Sequence, residues 1–178
     1  MNVETALFPS ETAHVFQNLY PLYLYDLSQF DGALPNEHGV LEPTPVRTLQ
    51  EQMQGQQGWL EKPHSLFPFL IRVDGVPAGF ILIATHPHIP KQIDYLVHEC
   101  FLIHAFRGKG IGEQAATQVF DRFRGKWEVY AMPANPRAQG FWRKTMAGYT
   151  GDAYQEERGP TFLATDYVIF RFNNIQAE

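Results

Sequence analysis

One segment of the chain joins a strand pattern, a glycine-rich turn and a helix pattern without interruption. Residues 93–103 alternate as a β-strand does, and Arg107–Gly112, with three glycines, follows almost directly. The first turn of the helix that comes next carries unpaired N–H groups and the positive end of the helix dipole, and glycines let an anion approach those groups. We therefore predict a phosphate-binding turn. The apolar residues that recur at helical spacing after it are Ile111, Ala115, Val119, Phe120 and Phe123.

The glycine spacing does not fit the two commonest nucleotide-binding loops. The chain lacks the Gly-Lys-Ser/Thr of a P-loop, and position 113 is glutamate where the dinucleotide motif requires glycine. The sequence therefore supports neither an ATPase nor a dinucleotide-dependent enzyme.

The remaining pattern predicts a sheet flanked by helices. Two apolar runs joined by Asp74-Gly75, the dipeptide that a type I′ turn prefers, predict a hairpin over 69–84. A helix with a kink or boundary at Pro21 precedes it, and strand, helix and strand follow the glycine turn. We expect an α/β chain, in detail α+β, with a central mixed and mostly antiparallel sheet. The later elements are expected at 127–132, 135–146 and 161–172.

Length and composition limit the class of protein. With 178 residues we expect a single domain over 1–178, and a single cysteine excludes an intramolecular disulfide and favours a reducing compartment. The chain start has no basic region and no apolar stretch long enough for a membrane helix, so we expect a cytoplasmic protein without a membrane partner. Residues 31–58 show no readable element, and such a stretch is typical of a functional loop, here expected on the substrate side.

The charge distribution is uneven. The net charge of −5 argues against a nucleic-acid partner, but Arg107–Lys144 contains eight basic and three acidic residues, a local charge of +5. Either this segment is a solvated helix face, or it lines a pocket for a small polyanion whose acidic surroundings attract a cationic second substrate.

Two blocks of the chain resemble the GNAT superfamily of N-acetyltransferases. The first is Arg107-x-x-Gly110-x-Gly112 after a strand, similar to the acyl-CoA pyrophosphate loop, and the second runs from Asn135 through Phe141-Trp142 to Lys144. The order of elements also resembles the plan of that fold over most of the chain. More narrowly, the segments 125–129, 141–144 and 149–150 resemble a bacterial branch of predicted acetyltransferases whose substrate is not assigned.

The resemblance implies a site for acetyl-CoA. By position, the backbone of Phe101 and Leu102 would pair with the pantetheine arm, and the side chain of Asn135 would contact the cofactor. Asn135 has an alternative role as an N-cap with Pro136 at the first helical position. The main-chain donors for the diphosphate would be those of Arg107, Gly108, Lys109, Gly110, Ile111 and Gly112.

The resemblance also suggests a catalytic residue and one departure from the family. Glu99 lies on the strand before the loop, where several family members place a glutamate, and is the candidate general base; the alternative is a charged residue on the solvent side of that strand. Trp142 stands where many relatives have a tyrosine that protonates the leaving thiolate. Its indole N–H is not a practical acid, so solvent, or Tyr149, would return the proton.

Weaker candidates complete the expected site. Tyr20, Tyr23, Tyr25 and Asp26 could border the acceptor site, since the first helices of the family often do; the alternative for these helix-spaced aromatics is a place in the core. Cys100 is expected to be a buried apolar residue rather than a nucleophile, and His86-x-His88 a polar turn rather than a metal site. We expect transfer of an acetyl group to a primary amine of a small molecule or peptide, without a metal; the alternative is a non-catalytic acyl-CoA-binding module. The sequence does not predict the oligomeric state.

Overall fold

Seven strands form one twisted sheet in the computed structural model, which describes residues 1–175 apart from the Ser10 side chain. The spatial order is β1-β2-β3-β4-β5-β7-β6, and every neighbouring pair is antiparallel except β4 and β5. The mixed, mostly antiparallel sheet is thus as predicted. The strands are β1 (Val3–Leu7), β2 (Leu66–Val73), β3 (Val76–Ala84), β4 (Tyr95–Leu102), β5 (Lys126–Ala131), β6 (Gln155–Gly159) and β7 (Tyr167–Asn173).

Helices cover both faces of the sheet, and each face has its own apolar core. One core packs α4 and α5 on the sheet around Trp127 and Phe170. The other packs α1, α2 and α3 on the opposite face around Phe16 and Phe80, whose rings meet edge to face at 5.4 Å between centroids. The helices are α1 (Ala13–Asp31), α2 (Leu49–Gln54), α3 (Gly58–Glu61), α4 (Ile111–Phe120) and α5 (Pro136–Thr150), with short 3₁₀ turns at Ser10–Thr12 and His104–Phe106.

The β2–β3 hairpin forms at the predicted dipeptide. Asp74 and Gly75 have φ angles of 49° and 82°, as a type I′ turn requires at both central positions. The turn joins two strands that are buried along most of their length, so it fixes which side chains of the hairpin enter each core.

Several elements differ from the sequence-based expectation. Helix α1 continues through Pro21 rather than breaking there, since tertiary packing of its apolar face against the sheet stabilises the helix on both sides of the proline. Strands β1 and β6 were not predicted: β1 is only five residues long, and β6 is mostly exposed and rich in charge, so neither carries a strong apolar run. The last strand is shorter than expected and begins at Tyr167.

The expected location of the chain stays a prediction. In the part of the chain that the structure describes, no helix is both long and apolar enough to cross a membrane.

Candidate functional site

The turn between β4 and α4 presents a row of main-chain N–H groups. Gly108 and Gly110 have φ angles of 72° and 75°, a left-handed conformation that glycine adopts without a Cβ penalty. Gly110 is the N-cap of α4, and no side chain caps this helix. Across residues 1–175, the structure provides no hydrogen-bond acceptor for the N–H groups of residues 108–113. Such a nest at a helix N-terminus favours an anion such as a diphosphate.

A cleft of about 550 Å³ opens beside this turn. Its floor is formed by one face of β4, including Cys100 and Leu102, and its walls by the starts of α4 and α5 and by α1. The basic side chains of Arg107, Arg137 and Lys144 also line it, but two of them are paired with carboxylates of the same lining: Arg107 with Asp26, and Lys144 with Glu113 at 2.8 Å. The other lining residues are Asp26, Phe30, Ile71, Gly108, Gly110, Ile111, Gly112, Glu113, Asn135, Ala138, Gly140, Phe141 and Trp142.

Strands β4 and β5 separate next to the cleft. Their parallel ladder contains only the pairs from Tyr95–Trp127 to Val97–Val129. Beyond Val97, β4 continues to Leu102 paired only with β3, and β5 continues to Ala131 paired only with β7. The gap leaves the β5-facing edge of residues 98–102 open to a chain-like ligand, because an unpaired strand edge offers both donors and acceptors.

A β-bulge in β4 places His98 on the same face of the sheet as Glu99. In the ladder with β3, Leu82 faces Glu99 while Ile83 faces Val97, so His98 is the extra residue. His98 and Glu99 therefore both point to the α1 side of the sheet: the His98 ring packs on Trp59 and the Glu99 carboxylate meets Tyr20. The alternation expected along residues 93–103 would place His98 on the face of Cys100 and Leu102, and this is wrong because simple alternation does not hold across a bulge.

The carboxyl group of Glu99 is buried and only half satisfied. Its Oε1 accepts a hydrogen bond from the Tyr20 hydroxyl at 3.4 Å and lies 3.7 Å from Nδ1 of His98. Its Oε2 is buried, and the described residues provide no partner for it. Burial raises the pKa of Glu99 to about 8, opposed by the Tyr20 hydrogen bond and assisted by the negative charge of Glu42. A carboxyl group with this pKa can accept a proton near neutral pH.

Arg107 binds protein groups rather than projecting freely into the cleft. Its guanidinium donates to both carboxylate oxygens of Asp26, at 3.2 and 2.7 Å, and its Nε donates to the carbonyl oxygen of Leu102 at 2.6 Å. Asp26 also lies 2.8 Å from Nε2 of His104. Burial raises the pKa of Asp26, but the hydrogen bonds from Arg107 and His104 outweigh this and lower it below its ordinary value. Asp26 thus ties α1 to the glycine turn.

The other predicted cofactor contacts sit at or next to the cleft. Asn135 caps α5, its Oδ1 accepting from the N–H of Ala138 at 2.9 Å, and it also lines the cleft. Lys109 donates from Nζ to the carbonyl oxygen of Ala105, and Ile111 is buried under the turn. Phe101 is buried on the α1 side of β4, so only its main chain can reach the gap.

The residues considered for proton return to the thiolate lie in different places. Trp142 is 4% exposed and lines the cleft, with its ring against Phe141. Tyr149 lies near the far end of α4, where its hydroxyl donates to Asp121 and accepts from Asn174. Burial is the main reason that its pKa is raised. The structure therefore separates Tyr149 from the glycine turn by the length of α4.

The remaining candidates add no reactive group to the described site. Tyr25 is 72% exposed on α1 and does not line the cleft. Cys100 lines the cleft, but burial raises the pKa of its thiol to about 12, which keeps it a protonated, poor nucleophile. Across residues 1–175, the histidines, cysteine and carboxylates form no group of three that could hold a metal ion.

The acceptor side of the sheet brings together two of the weak sequence candidates and two residues that sequence reasoning did not place. Tyr20 and Tyr23 of α1 face β4, with Tyr23 packed on the rings of Phe80 and Phe101. Glu42 and the buried Gln52 come from the segment without a readable pattern. Helical spacing gave a weak signal for the tyrosines, whereas the sequence gives none for Glu42, because it lies in a loop.

Comparison with solved structures identifies the fold. An acetyltransferase from Thermus thermophilus superposes with a TM-score of 0.64 at 16% identity, covering 97% of each chain. A structure of AAC(6′)-Ib in complex with ribostamycin and coenzyme A gives 0.68 at 14% identity, covering 98% of this chain and 94% of the other. PaiA N-acetyltransferase from Thermoplasma acidophilum in complex with coenzyme A gives 0.60 at 11% identity, covering 96% and 98%.

Sequence comparison identifies the family. No curated protein is similar enough in sequence to count as a match. The sequence model of the acetyltransferase (GNAT) family, however, matches residues 31–148, which is more than half of the chain and includes the glycine turn and most of the cleft. This match confirms the predicted fold and the predicted enzyme class, an acetyltransferase that uses acetyl-CoA. The chain belongs to the acetyltransferase (GNAT) family.

Proposed function

We propose that this protein transfers the acetyl group of acetyl-CoA to a primary amine of a small molecule or peptide by direct attack. The observation that carries the proposal is the position of strand β4, which has the cleft on one face and Glu99 on the other. The open edge of β4 and the unpaired N–H groups of residues 108–113 lie beside the cleft, and Glu99 lies on the opposite face of the same strand. Donor and acceptor can therefore meet at the gap between β4 and β5.

The cofactor assignment follows the geometry of the cleft. The N–H groups of residues 108–112 bind the diphosphate, with the dipole of α4 adding to their attraction for negative charge. The N–H of Arg107, which the sequence included among the donors, instead donates to the carbonyl oxygen of His104 at 3.1 Å. The main chain of Phe101 and Leu102 pairs with the pantetheine arm along the open edge of β4. The Asn135 side chain contacts the cofactor through its amide nitrogen, since its oxygen is occupied by capping α5.

Glu99 acts as the general base. An amine with a pKa near 10.4 must lose a proton before it can attack. Because this pKa lies about 3.4 units above pH 7, deprotonation costs roughly 4.6 kcal/mol. The Glu99 carboxylate accepts this proton, directly or through a water molecule. Bound acetyl-CoA supplies a thioester that is activated towards amines. The amine nitrogen bonds to the acetyl carbon, and the carbon–sulfur bond breaks.

Proton return to the sulfur needs little help from the protein. A thiol with a pKa near 8.5 is only about 1.5 pH units from neutrality, or roughly 2 kcal/mol. Trp142 supplies no acidic proton, and Tyr149 lies at the far end of α4. We infer that solvent protonates the thiolate and that Trp142 packs against the cofactor.

Release of the coenzyme A thiol across a panel of primary amines, together with calorimetric binding of acetyl-CoA, tests this function. We expect binding and amine-dependent thiol release. Binding without release for any amine would favour the alternative, a non-catalytic acyl-CoA-binding module, for which the replacement of the usual tyrosine by Trp142 is the supporting observation.

Gly110→Asp tests the diphosphate assignment. The variant places a carboxylate beside the unpaired N–H groups, so we expect the affinity for acetyl-CoA to fall at least about tenfold. Gly39→Asp is the matched control: Gly39 also has a positive φ, 77°, and open space around its Cβ position, but it does not line the cleft. Undiminished affinity in a folded Gly110→Asp protein would refute the assignment.

A further inference from the structure

The segment between α1 and α2 is built around one asparagine side chain. The amide nitrogen of Asn36 donates to the carbonyl oxygens of Glu42 and Val46, at 3.0 and 2.7 Å, and its Oδ1 accepts from the N–H groups of His38 and Val40. A single side chain thus binds the main chain of four other residues. This loop fixes the backbone at Glu42, whose side chain is half-buried beside α2.

Helix α2 places a buried amide next to that carboxylate. Thr48 caps α2 by accepting from the N–H of Glu51 at 3.2 Å, and the Glu51 carboxylate accepts a bond in return from the N–H of Arg47. One turn after Thr48, Gln52 is only 3% exposed, and its amide nitrogen donates to the carbonyl oxygen of Leu41 at 3.5 Å, next to Glu42. The Gln52 side chain also opposes the rise that burial causes in the pKa of Glu42. The Oε1 atom of Gln52 is buried, and the structure of residues 1–175 provides no donor for it. A buried acceptor without a donor is costly unless a ligand supplies one.

The Glu42 carboxylate, beside this amide, is close enough to Glu99, the proposed base, to change its pKa. The charge of Glu42 raises the pKa of both Glu99 and the Tyr20 hydroxyl, although burial contributes more to each. Neither Glu42 nor Glu99 has a lysine or arginine partner among the described side chains. His98, the nearest basic group to Glu99, has its pKa lowered by burial, so it is neutral near pH 7. The cluster therefore contains acceptors and negative charge, but no cation.

We propose that Glu42 and Gln52 form a subsite for a second, protonated amino group of the acceptor, next to Glu99, so that the acceptor is a diamine or a larger polyamine. This inference rests on the proposed function. An ammonium group has three donors. It can give one to the Glu42 carboxylate and one to the unpartnered oxygen of Gln52, while the amine that reacts is held neutral at Glu99. A monoamine of the same length would leave Gln52 unsatisfied and Glu42 unpaired.

Paired amines test the subsite. Each α,ω-diamine from 1,2-diaminoethane to 1,6-diaminohexane is compared with the monoamine of equal carbon number, and kcat/KM is measured at saturating acetyl-CoA. For at least one chain length we expect the wild type to prefer the diamine by about tenfold or more, as one charge-assisted contact implies. In Glu42→Gln this preference should fall below about threefold. Because the loss of the Glu42 charge also changes the pKa of Glu99, the ratio between the two amines is diagnostic and the absolute rate is not.

The matched control is Glu37→Gln. Glu37 belongs to the same segment, but its side chain is 72% exposed. This variant loses the same charge without touching the subsite and should keep the wild-type preference. Equal kcat/KM for diamines and monoamines in the wild type would overturn the inference, as would an unchanged preference in a folded Glu42→Gln protein.

A binding measurement separates this inference from the proposed function. With coenzyme A bound instead of acetyl-CoA, diamines should raise the melting temperature of the wild type more than monoamines do, and Glu42→Gln should remove the difference. Diamine binding without acetylation of any amine would leave the subsite standing and refute the catalytic proposal. Acetylation of monoamines without any diamine preference in rate or binding would refute the subsite and leave the catalytic proposal standing.

Discussion

At the scale of the residue, the behaviour of Glu99 depends on groups that are distant in sequence. The sequence identified the glutamate, but its pKa depends on burial under α1, a hydrogen bond from Tyr20 and the charge of Glu42. Tyr20 precedes Glu99 by 79 residues in the sequence, and Glu42 lies in the loop between α1 and α2. A base for an amine can therefore be nominated from the resemblance to the family, whereas its protonation state requires the folded environment.

The activity should rise with pH as Glu99 loses its proton. Since its pKa is about 8, most molecules hold a neutral carboxyl group at pH 6. At saturating substrates we expect the rate to fall about tenfold per pH unit below this value and to level off above it. A pH–rate profile of kcat measures this. Glu99→Gln should lower kcat by roughly a hundredfold and remove the inflection; if the inflection persists in the variant, another group is the base.

Trp142 gives a second test at this scale. If solvent protonates the thiolate, restoring the tyrosine that many relatives carry should gain little, and Trp142→Tyr should keep kcat within several-fold of the wild type. Steady-state thiol release at saturating substrates measures the change. A gain of a hundredfold would mean that the demand for an acid has been underestimated.

At the scale of the element, regular patterns were predictable and irregular ones were not. The Asp74-Gly75 turn and the glycine turn before α4 depend on local backbone preferences, which the sequence carries directly. The bulge at His98 and strand β6 depend on pairing with other strands, so no local signal specifies them. The bulge also brings His98 onto the face of Glu99, which simple alternation along the strand does not predict.

Gly79 should tolerate no side chain. A Cβ there would lie 2.0 Å from the carbonyl oxygen of Phe101 and 2.9 Å from Cα of Leu102, so β3 would have to move away from β4. We expect Gly79→Ala to lower the free energy of unfolding by about 3 kcal/mol or more. Urea denaturation measures the change.

Gly148→Ala is the matched control for this substitution. Gly148 lies inside α5 with no atom within 4 Å of its Cβ position, so alanine should raise the free energy of unfolding by up to about 1 kcal/mol. Similar effects of the two substitutions would contradict the close approach of the strands.

At the scale of the whole molecule, α1 connects the two halves of the site. In the middle of α1, Tyr20 contacts Glu99. Near the end of α1, Asp26 binds Arg107 of the glycine turn and His104, which lies just before that turn. The sequence suggested Asp26 as an acceptor contact, which stays a prediction, and the structure shows in addition that Asp26 holds Arg107. The spacing of residues along the sequence does not predict an ion pair between distant segments such as Asp26 and Arg107. It also does not predict the arrangement of residues 31–58, which carry no regular pattern.

Asp26→Asn should weaken cofactor binding from a distance. The change removes the charge that holds Arg107, so we expect a several-fold loss of affinity for acetyl-CoA in calorimetry and a lower melting temperature at pH 7. Because the pKa of Asp26 is lowered in the folded state, its contribution to stability is present above its ordinary value of 3.8. The difference in melting temperature between the two proteins should shrink as the pH falls below that value.

Asp166→Asn is the control for this substitution. Asp166 makes a similar two-bond pair with Arg158, but the pair is exposed and away from the cleft. It should leave acetyl-CoA affinity unchanged. An unaltered affinity in Asp26→Asn as well would show that the bridge from α1 does not shape the turn.

The short ladder between β4 and β5 affects more than ligand access. Only three residue pairs join a four-stranded block, β1 to β4, to a three-stranded block made of β5, β7 and β6. This seam is the place where the backbone network of the sheet is thinnest, so opening of the native state should begin there. An acetyl-CoA molecule bound between the two blocks would hold them together. The protein should therefore unfold more slowly as the concentration of acetyl-CoA rises.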